Sequence, residues 1–343
     1  MMLFELQGLK ADMALVDQYM LEFLPPKREW GRMQEILTAV MSAKGKRYRP
    51  MLLLLASRCG PNRAAARERV CKLGAIVELI HMASLIHDDI VDDSPLRRGQ
   101  QTIQSRFGKD MAVYTGDMIL GRAMGILFRE NLSQAGGLLG ATIEEMCRGE
   151  IGQFDSRFQT DGTVDTYLQN VYGKTVSLFE TACRLGGTES GCSQEEIETL
   201  AAFGRNLGYL FQLRDDMLDF LSDEEQEGKP IHMDFREGVF TMPVLYALEQ
   251  SDYHAEIQRL AQLAKDGLFS AYEEVQLDWV VRSSGGLDAT VERMDFHRRR
   301  AIQLAENLSN DEVSATLKIL LSKLTLPDIC ERQILIPLAG RAV

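Results

Sequence analysis

The sequence predicts an all-α protein, a single domain of about a dozen helices over residues 1–343. Three observations lead there. Long segments carry apolar side chains at helical spacing. No period-two run bounded by hairpin turns can be found. No Pro/Ser-rich linker or internal repeat divides the chain. Apolar residues make up 45% of the 343 positions, ample for a large core.

The elements follow in order. Residues 66–91 keep the helical period through VCKLGAIVELIHMASLI. Comparable patterns run over 110–130, 135–158, 164–186, 195–221, 237–250 and 286–307. The six cysteines, at 59, 71, 147, 183, 192 and 330, show no metal-ligand spacing and fit a reduced, intracellular protein. The opening MMLFELQGLKAD has no basic segment followed by a long apolar one, so no signal peptide is expected, and a cytoplasmic location is. Apolar runs such as MLLLLA (51–56) are too short to span a bilayer, so no transmembrane segment is expected either. A net charge of −12 argues against a general nucleic-acid binder.

Function concentrates in LIHDDIVDDSPLRRG, residues 85–99. Asp88, Asp89 and Asp92 form D-D-x-x-D, which gathers three carboxylates on one helical patch. Pro95 disfavours helical geometry at Ser94, so the helix should end near Asp93. The carboxylates then sit where the helix dipole is already negative. Hard divalent ions or the arginines that follow are the candidates to compensate them. Oxygen-only ligands suit Mg²⁺, which binds through a few carboxylates plus substrate phosphates. A solvated acidic helix end is the alternative for this motif alone. The glycine and final glutamate of a calcium EF-hand loop are misplaced.

Asp215, Asp216 and Asp219 repeat the motif late in a second long apolar segment, AAFGRNLGYLFQLRDDMLDF. If the two helices pack side by side, six carboxylates face a common space. Such a space is costly to keep ionised without cations. It suits several Mg²⁺ ions gripping a diphosphate. Cations stand nearby in sequence: Lys46 and Arg49 in GKRYRP, Arg97 and Arg98 after the first motif, Lys174 in YGKTVSLF, and Lys229 in EGKP. Arginine suits bidentate phosphate contacts and lysine offers a compact charge. Singly, each is more often a solvated surface residue.

GKRYRP, DDIVDDSPLRRG, GKTVSLF, FQLRDDMLD and GKP occur in one order, and with them the chain, from Gly45 to about Arg332, resembles the trans-type polyprenyl diphosphate synthases of the isoprenoid synthase superfamily. The resemblance implies an all-α bundle around a central cavity and a head-to-tail condensation of isopentenyl diphosphate with an allylic diphosphate. It implies about three Mg²⁺ ions per site and a homodimer. Asp88, Asp92 and Asp215 match direct metal ligands; Asp89, Asp216 and Asp219 complete or orient the shell. Lys46, Arg49, His81 and Arg98 match the isopentenyl diphosphate site, with Phe211 beside it. Arg97, Lys174 and Lys229 match the allylic diphosphate site. Thr175 and Gln212 match oxygens facing the allylic cation. A lone histidine on an apolar helix is usually a core residue, yet His81 lies seven positions before Asp88, two turns away on one face.

Two departures stand in GKPIHMDFREGV: His232 where the family often has glycine, and Val239 where a lysine is frequent. Product length should be read on the helix before Asp88. Ser84, Ile80 and Val77 lie 4, 8 and 11 residues back, with Ala83 beside them. No bulky aromatic occupies position four or five, where short-chain members of the family it resembles carry one, so the resemblance implies a medium- or long-chain product above about twenty carbons, at about one helical turn per isoprene unit. Met124 and Phe128 are candidates for the pocket floor. Small packing residues are the plain alternative for Ala83 and Ser84. Competing functions are a short-chain farnesyl or geranylgeranyl synthase, a class I terpene cyclase, a non-catalytic partner subunit, and a di-iron bundle. The intact second D-D-x-x-D argues against the cyclase and the silent subunit. Glu78-x-x-His81 has no second copy, which argues against the di-iron bundle.

Overall fold

Helical periodicity governs nearly every element. The computed structural model describes residues 8–24, 31–42, 45–97, 99–221 and 231–324. Helices α1 (Leu9–Phe23), α2 (Arg32–Ser42), α3 (Tyr48–Ser57) and α4 (Arg63–Val91) come first. A hairpin of β1 (Leu96–Arg97) and β2 (Gln100–Gln101) leads into α5 (Ile103–Phe107), α6 (Lys109–Arg129) and α7 (Ser133–Asp155). Then follow α8 (Val164–Val171), a π-turn at Tyr172–Val176, α9 (Ser177–Ser190) and α10 (Gln194–Leu221). The last elements are α11 (Met233–Arg236), α12 (Met242–Glu249), α13 (Ser251–Lys265), α14 (Ala271–Ser283), α15 (Gly286–Glu306) and α16 (Asp311–Ser322). The all-α expectation holds.

The chain divides into two compact units. The first comprises residues 1–143, 178–204 and 305–316; the second comprises 144–177, 205–304 and 317–343. In the first, α4 is the spine and packs against α1, α3 and α6. Its long apolar face disappears from solvent: Leu73, Ile76, Val77, Leu79, Ile80 and Ala83 are all buried. Full burial of such a side chain contributes about 1.5–3 kcal/mol, so this face fixes where the end of α4 must lie. In the second unit α12 packs against α8, α13 and α14, and Phe235 lies against Phe240 and Phe269 at 5.1 and 5.3 Å. Ser270 and Glu273 form a capping box at the start of α14.

The structure corrects four sequence expectations. Residues 164–186 are two helices separated by the π-turn. Of 237–250 only Met242–Glu249 is helical, because Gly238 turns with φ +78° and Thr241 and Pro243 start a new helix. Helix α4 stops at Val91, two residues early: Asp93 adopts φ +47° and the Ser94 N–H returns to the Asp89 carbonyl. Finally, α4 and α6 are each long and apolar enough to cross a membrane by length and composition, although no single apolar run is. The most apolar stretch of α4 is 72% buried within the fold, as a core helix would be.

Candidate active site

In the first unit, the end of α4 carries the first aspartate motif. Adjacent helical positions diverge by about 100°, so Asp88 and Asp89 cannot face the same way. Asp88 is half-buried, whereas Asp89 is 5% exposed. The turn after α4, in which Asp93 takes φ +47° and the Ser94 N–H returns to the Asp89 carbonyl, brings Arg97 back to it, and Arg97 Nε donates to Asp89 Oδ1 at 2.6 Å. Gln104 Nε2 donates to the carbonyls of Asp89 and Ser94, which fastens the turn beyond the helix. The positive charge after the aspartates thus neutralises the buried carboxylate. Arg98 lies outside the described residues.

The N-terminus of α3 brings a second group to the same helix. Arg47 takes φ +52° and donates to the buried Glu78 at 2.8 Å. That pair fixes the loop carrying Lys46, whose ammonium lies 5.9 Å from the Tyr48 ring. Arg49 stacks on Phe179 at 4.4 Å, and its Nη1 lies 3.0 Å from His81 Nε2. Arginine can only donate, so His81 Nε2 accepts and carries its proton elsewhere. Arg49 and His81, matched to one substrate site by resemblance, are brought into contact.

Toward the end of α4, His81, Ser84, Leu85, His87 and Asp88 are half-buried, and His81, Ser84, Leu85 and Asp88 share one face as an accessible stripe. Val77, Ile80 and Ala83 are closed off, with at most 1% exposure, and Ser84 Oγ donates to the His81 carbonyl. Of the expected wall residues, Ser84 therefore retains accessible surface. Leu85 belongs with it and was missed, although its spacing from His81 and Asp88 marks the same face. Phe128 is 72% exposed near the end of α6, so it closes no pocket within this chain; Met124 is half-buried.

In the second unit the π-turn positions the chemistry. π-turns often occur at functional sites. Here α7 and the turn meet backbone to backbone: a Cβ on Gly149 would lie 2.4 Å from the Lys174 nitrogen, and one on Gly173 would lie 2.6 Å from the Glu145 carbonyl oxygen. Two glycines at the crossing permit that approach. Lys174, on the turn, pairs with Glu150 at 3.0 Å. Thr175, the next residue, donates to Gln212 Oε1 at 2.9 Å. Gln212 Nε2 donates to Asp216 Oδ1 at 3.0 Å, and the Tyr167 hydroxyl donates to Asp216 Oδ2. Asp216 is 1% exposed. Burial and then the nearby Asp234 push its carboxyl up to about 7, against the pull of the Tyr167 and Gln212 hydrogen bonds.

Asp215 is exposed, with the Arg214 guanidinium 3.9 Å away. Asp219 accepts the Met233 N–H at 3.1 Å through Oδ1, while its Oδ2 is buried with no hydrogen-bond partner. Burial pushes Asp219 up to about 6. His232 adopts φ +57°, the left-handed region that favours glycine, and its ring packs edge-on to Phe220. Phe211 is half-buried on α10. Lys229 lies outside the described residues. Sequence reasoning missed Tyr167, Glu150 and Asp234.

This donor set fits a divalent cation: Asp215 is an exposed carboxylate, and the buried Asp219 Oδ2, which has no hydrogen-bond partner, is a hard oxygen ligand. Among the described residues no three His, Cys, Asp or Glu side chains are already gathered as a metal cage.

The sequence model of the polyprenyl synthetase family matches residues 31–275. The chain belongs to the polyprenyl synthetase family. Component 2 of the heptaprenyl diphosphate synthase of Geobacillus stearothermophilus is 34% identical over 290 residues, 84% of this chain and 88% of that protein. The heptaprenyl diphosphate synthase of Staphylococcus aureus superposes with a TM-score of 0.84 at 27% identity, over 92% of this chain and 97% of that one. A polyprenyl synthase from Caulobacter crescentus CB15, in complex with calcium and isoprenyl diphosphate, gives 0.82 at 28% identity, over 92% and 94%. The fold is that of the isoprenoid synthases, and this polyprenyl synthetase is a prenyltransferase.

Proposed function

We propose that this prenyltransferase condenses isopentenyl diphosphate with allylic diphosphates, head to tail, into an all-trans chain longer than about twenty carbons. The observation that carries the length is the accessible stripe of α4. His81, Ser84 and Leu85 line the approach to Asp88, and no aromatic ring stands among residues 82–86. The heptaprenyl naming of two relatives supports the same reading.

The residues divide the work. Lys46, Arg49 and His81 hold isopentenyl diphosphate; Arg97 and Lys174 hold the allylic diphosphate. Lys174 leaves Glu150 to do so, exchanging one anionic partner for another. Asp88 and Asp92 in the first unit, and Asp215 and Asp219 in the second, would hold Mg²⁺. When bound, the metal supplies Lewis-acid pull on the leaving diphosphate. Thr175 and Gln212 present oxygen lone pairs to the electron-poor allylic carbon. The departing diphosphate takes the final proton, so no strong protein base is required.

The working unit is a homodimer. Tyr114, Met118, Gly121, Gly125 and Phe128 recur at alternating spacings of four and three along α6, and Tyr114 and Phe128 are 62% and 72% exposed. A second copy would cover that stripe. A second reading is a heteromeric enzyme, favoured by the relative named as one component of a synthase. Incubating the pure chain with Mg²⁺, labelled isopentenyl diphosphate and allylic primers, then sizing the products, tests both. Long products from the chain alone support the proposal. Activity only after a second subunit is added moves it to the heteromeric reading, and products of about fifteen carbons refute the length.

A further inference from the structure

We propose that Tyr167 is a positioning residue for prenyl transfer: its hydroxyl clamps Asp216, and through Asp216 it sets the direction of the Gln212 amide and the Thr175 hydroxyl. The inference rests on the proposed prenyl transfer and adds to it a residue 45 positions before Gln212 in sequence (212 − 167). Three hydrogen bonds carry it, all within the second unit.

Both oxygens of Asp216 are taken, one by the Tyr167 O–H and the other by Gln212 Nε2. With its nitrogen committed to Asp216, the Gln212 amide must turn its carbonyl oxygen the other way. That oxygen accepts the single proton of Thr175 Oγ1 at 2.9 Å. Thr175 then offers only lone pairs to any further neighbour. The chain is therefore polarised in one direction, with every proton pointing toward Asp216. Two neutral oxygens, on the π-turn and on α10, are left electron-rich, as stabilisation of a developing allylic cation requires.

Tyr167 is the anchor. Buried hydrogen-bond networks of this kind specify geometry only when fully satisfied. Remove the Tyr167 hydroxyl and Asp216 is held by a side chain at one oxygen only. It can then rotate, and the Gln212 amide loses its reason to point one way. The Thr175 hydroxyl becomes free to turn its proton outward. The Tyr167 hydroxyl donates to Asp216 and not to Thr175 or Gln212, so it acts through Asp216.

The test is a double-mutant cycle on the full-length protein, with kcat and both KM values measured under saturating Mg²⁺. Tyr167→Phe should lower kcat about ten- to a hundredfold, as loss of reacting-group orientation does. It should leave KM for isopentenyl diphosphate within about twofold, an ordinary limit for an untouched contact. Thr175→Val should lower kcat comparably. The double variant should be no slower than the slower single variant, because both cut one chain. A purely structural role would instead multiply the two effects. Multiplying effects, or a Tyr167→Phe enzyme with wild-type kcat, overturn the inference. Far-UV circular dichroism and the urea midpoint establish that each variant is folded. If Tyr167→Phe does not fold, Tyr167→Met, which also lacks the hydroxyl, takes its place in the cycle with the same expectation and the same refutation. A wild-type protein that transfers no prenyl group would sink the functional reading itself; an active wild type matched by Tyr167→Phe sinks this inference alone.

Discussion

Gly149→Ala should disable the enzyme while barely unfolding it. The added Cβ would lie 2.4 Å from the Lys174 nitrogen, 2.7 Å from the Asn170 carbonyl oxygen and 2.8 Å from the Gly173 carbonyl carbon. Ordinary contact begins near 3.4 Å, so the π-turn must retreat by about 1 Å (3.4 − 2.4). All three neighbours are backbone atoms, and no side-chain rotation can relieve them. Overpacking of this kind costs about 1–3 kcal/mol. Alanine returns about 1 kcal/mol as a better helix former than glycine. The net loss of stability is then about 0–2 kcal/mol. The displaced turn carries Lys174 and Thr175, and a shift of about 1 Å in positioned groups can cost a hundredfold in rate. The assay pairs kcat for prenyl transfer with the urea midpoint of the same preparation. Gly140→Ala, on the same helix with nothing within 4 Å of its added carbon, is the control and should keep wild-type kcat. A Gly149→Ala enzyme with kcat within about twofold of wild type would refute the view that this crossing holds the reacting groups in place.

Asp215→Ala should lower kcat by at least about a hundredfold, and excess EDTA should abolish turnover; full activity in EDTA would exclude a role for metal. Ser84→Phe puts a rigid ring on the accessible stripe of α4, so product sizing should show chains shortened to about fifteen or twenty carbons with isopentenyl use still measurable. Unchanged product length would place the limit elsewhere. His297 is buried against Tyr209, and burial pulls it from its ordinary 6.5 down to about 4. The unfolded chain therefore binds this proton more readily, so stability is intact above pH 6.5 and is lost as pH falls toward 4. Between pH 7 and pH 5 the wild type should lose about 2 kcal/mol more than His297→Gln in urea titrations; equal losses would contradict the burial.

Much of this was legible in the sequence, and the misses share a cause. Helix α4 and both aspartate motifs follow from one-dimensional period, because burial of α4 depends on its own side chains. The departure at His232 was visible too; the structure shows why glycine is at ease there, a backbone at φ +57°. The π-turn was not legible. Its residues continue the apolar pattern of α8 and α9, and its shape is set by approach to Gly149 on α7 and Gly208 on α10, where an added Cβ would lie 2.9 Å from the Val176 Cα. A glycine's partner at such a crossing is a tertiary fact. Phe128 failed as a floor for a related reason: period places it on a face of α6, but only packing decides whether anything covers that face.

The two aspartate motifs show where the boundary of legibility falls. In each D-D-x-x-D the first carboxylate is the more accessible, Asp88 half-buried and Asp215 exposed, while Asp89 and Asp216 are 5% and 1% exposed. Neighbouring positions on a helix end must split in this way, since one turns inward as the other turns out. A buried carboxylate without a donor is costly, so each motif obliges the chain to supply one. For Asp89 the donor is Arg97, eight residues later, brought back by the turn that follows α4; proximity in sequence made it readable. For Asp216 the donors are Gln212, one turn earlier on α10, and Tyr167, 49 residues earlier on α8. Gln212 could be read from the motif, but Tyr167 could not, because nothing local distinguishes it from any other tyrosine on an amphipathic helix. The same requirement thus yields one partner that a sequence announces and one that only the fold reveals. Loss of the hidden partner would act on the Gln212–Thr175 arrangement, whereas loss of Arg97 would leave Gln104 still fastening the turn after α4.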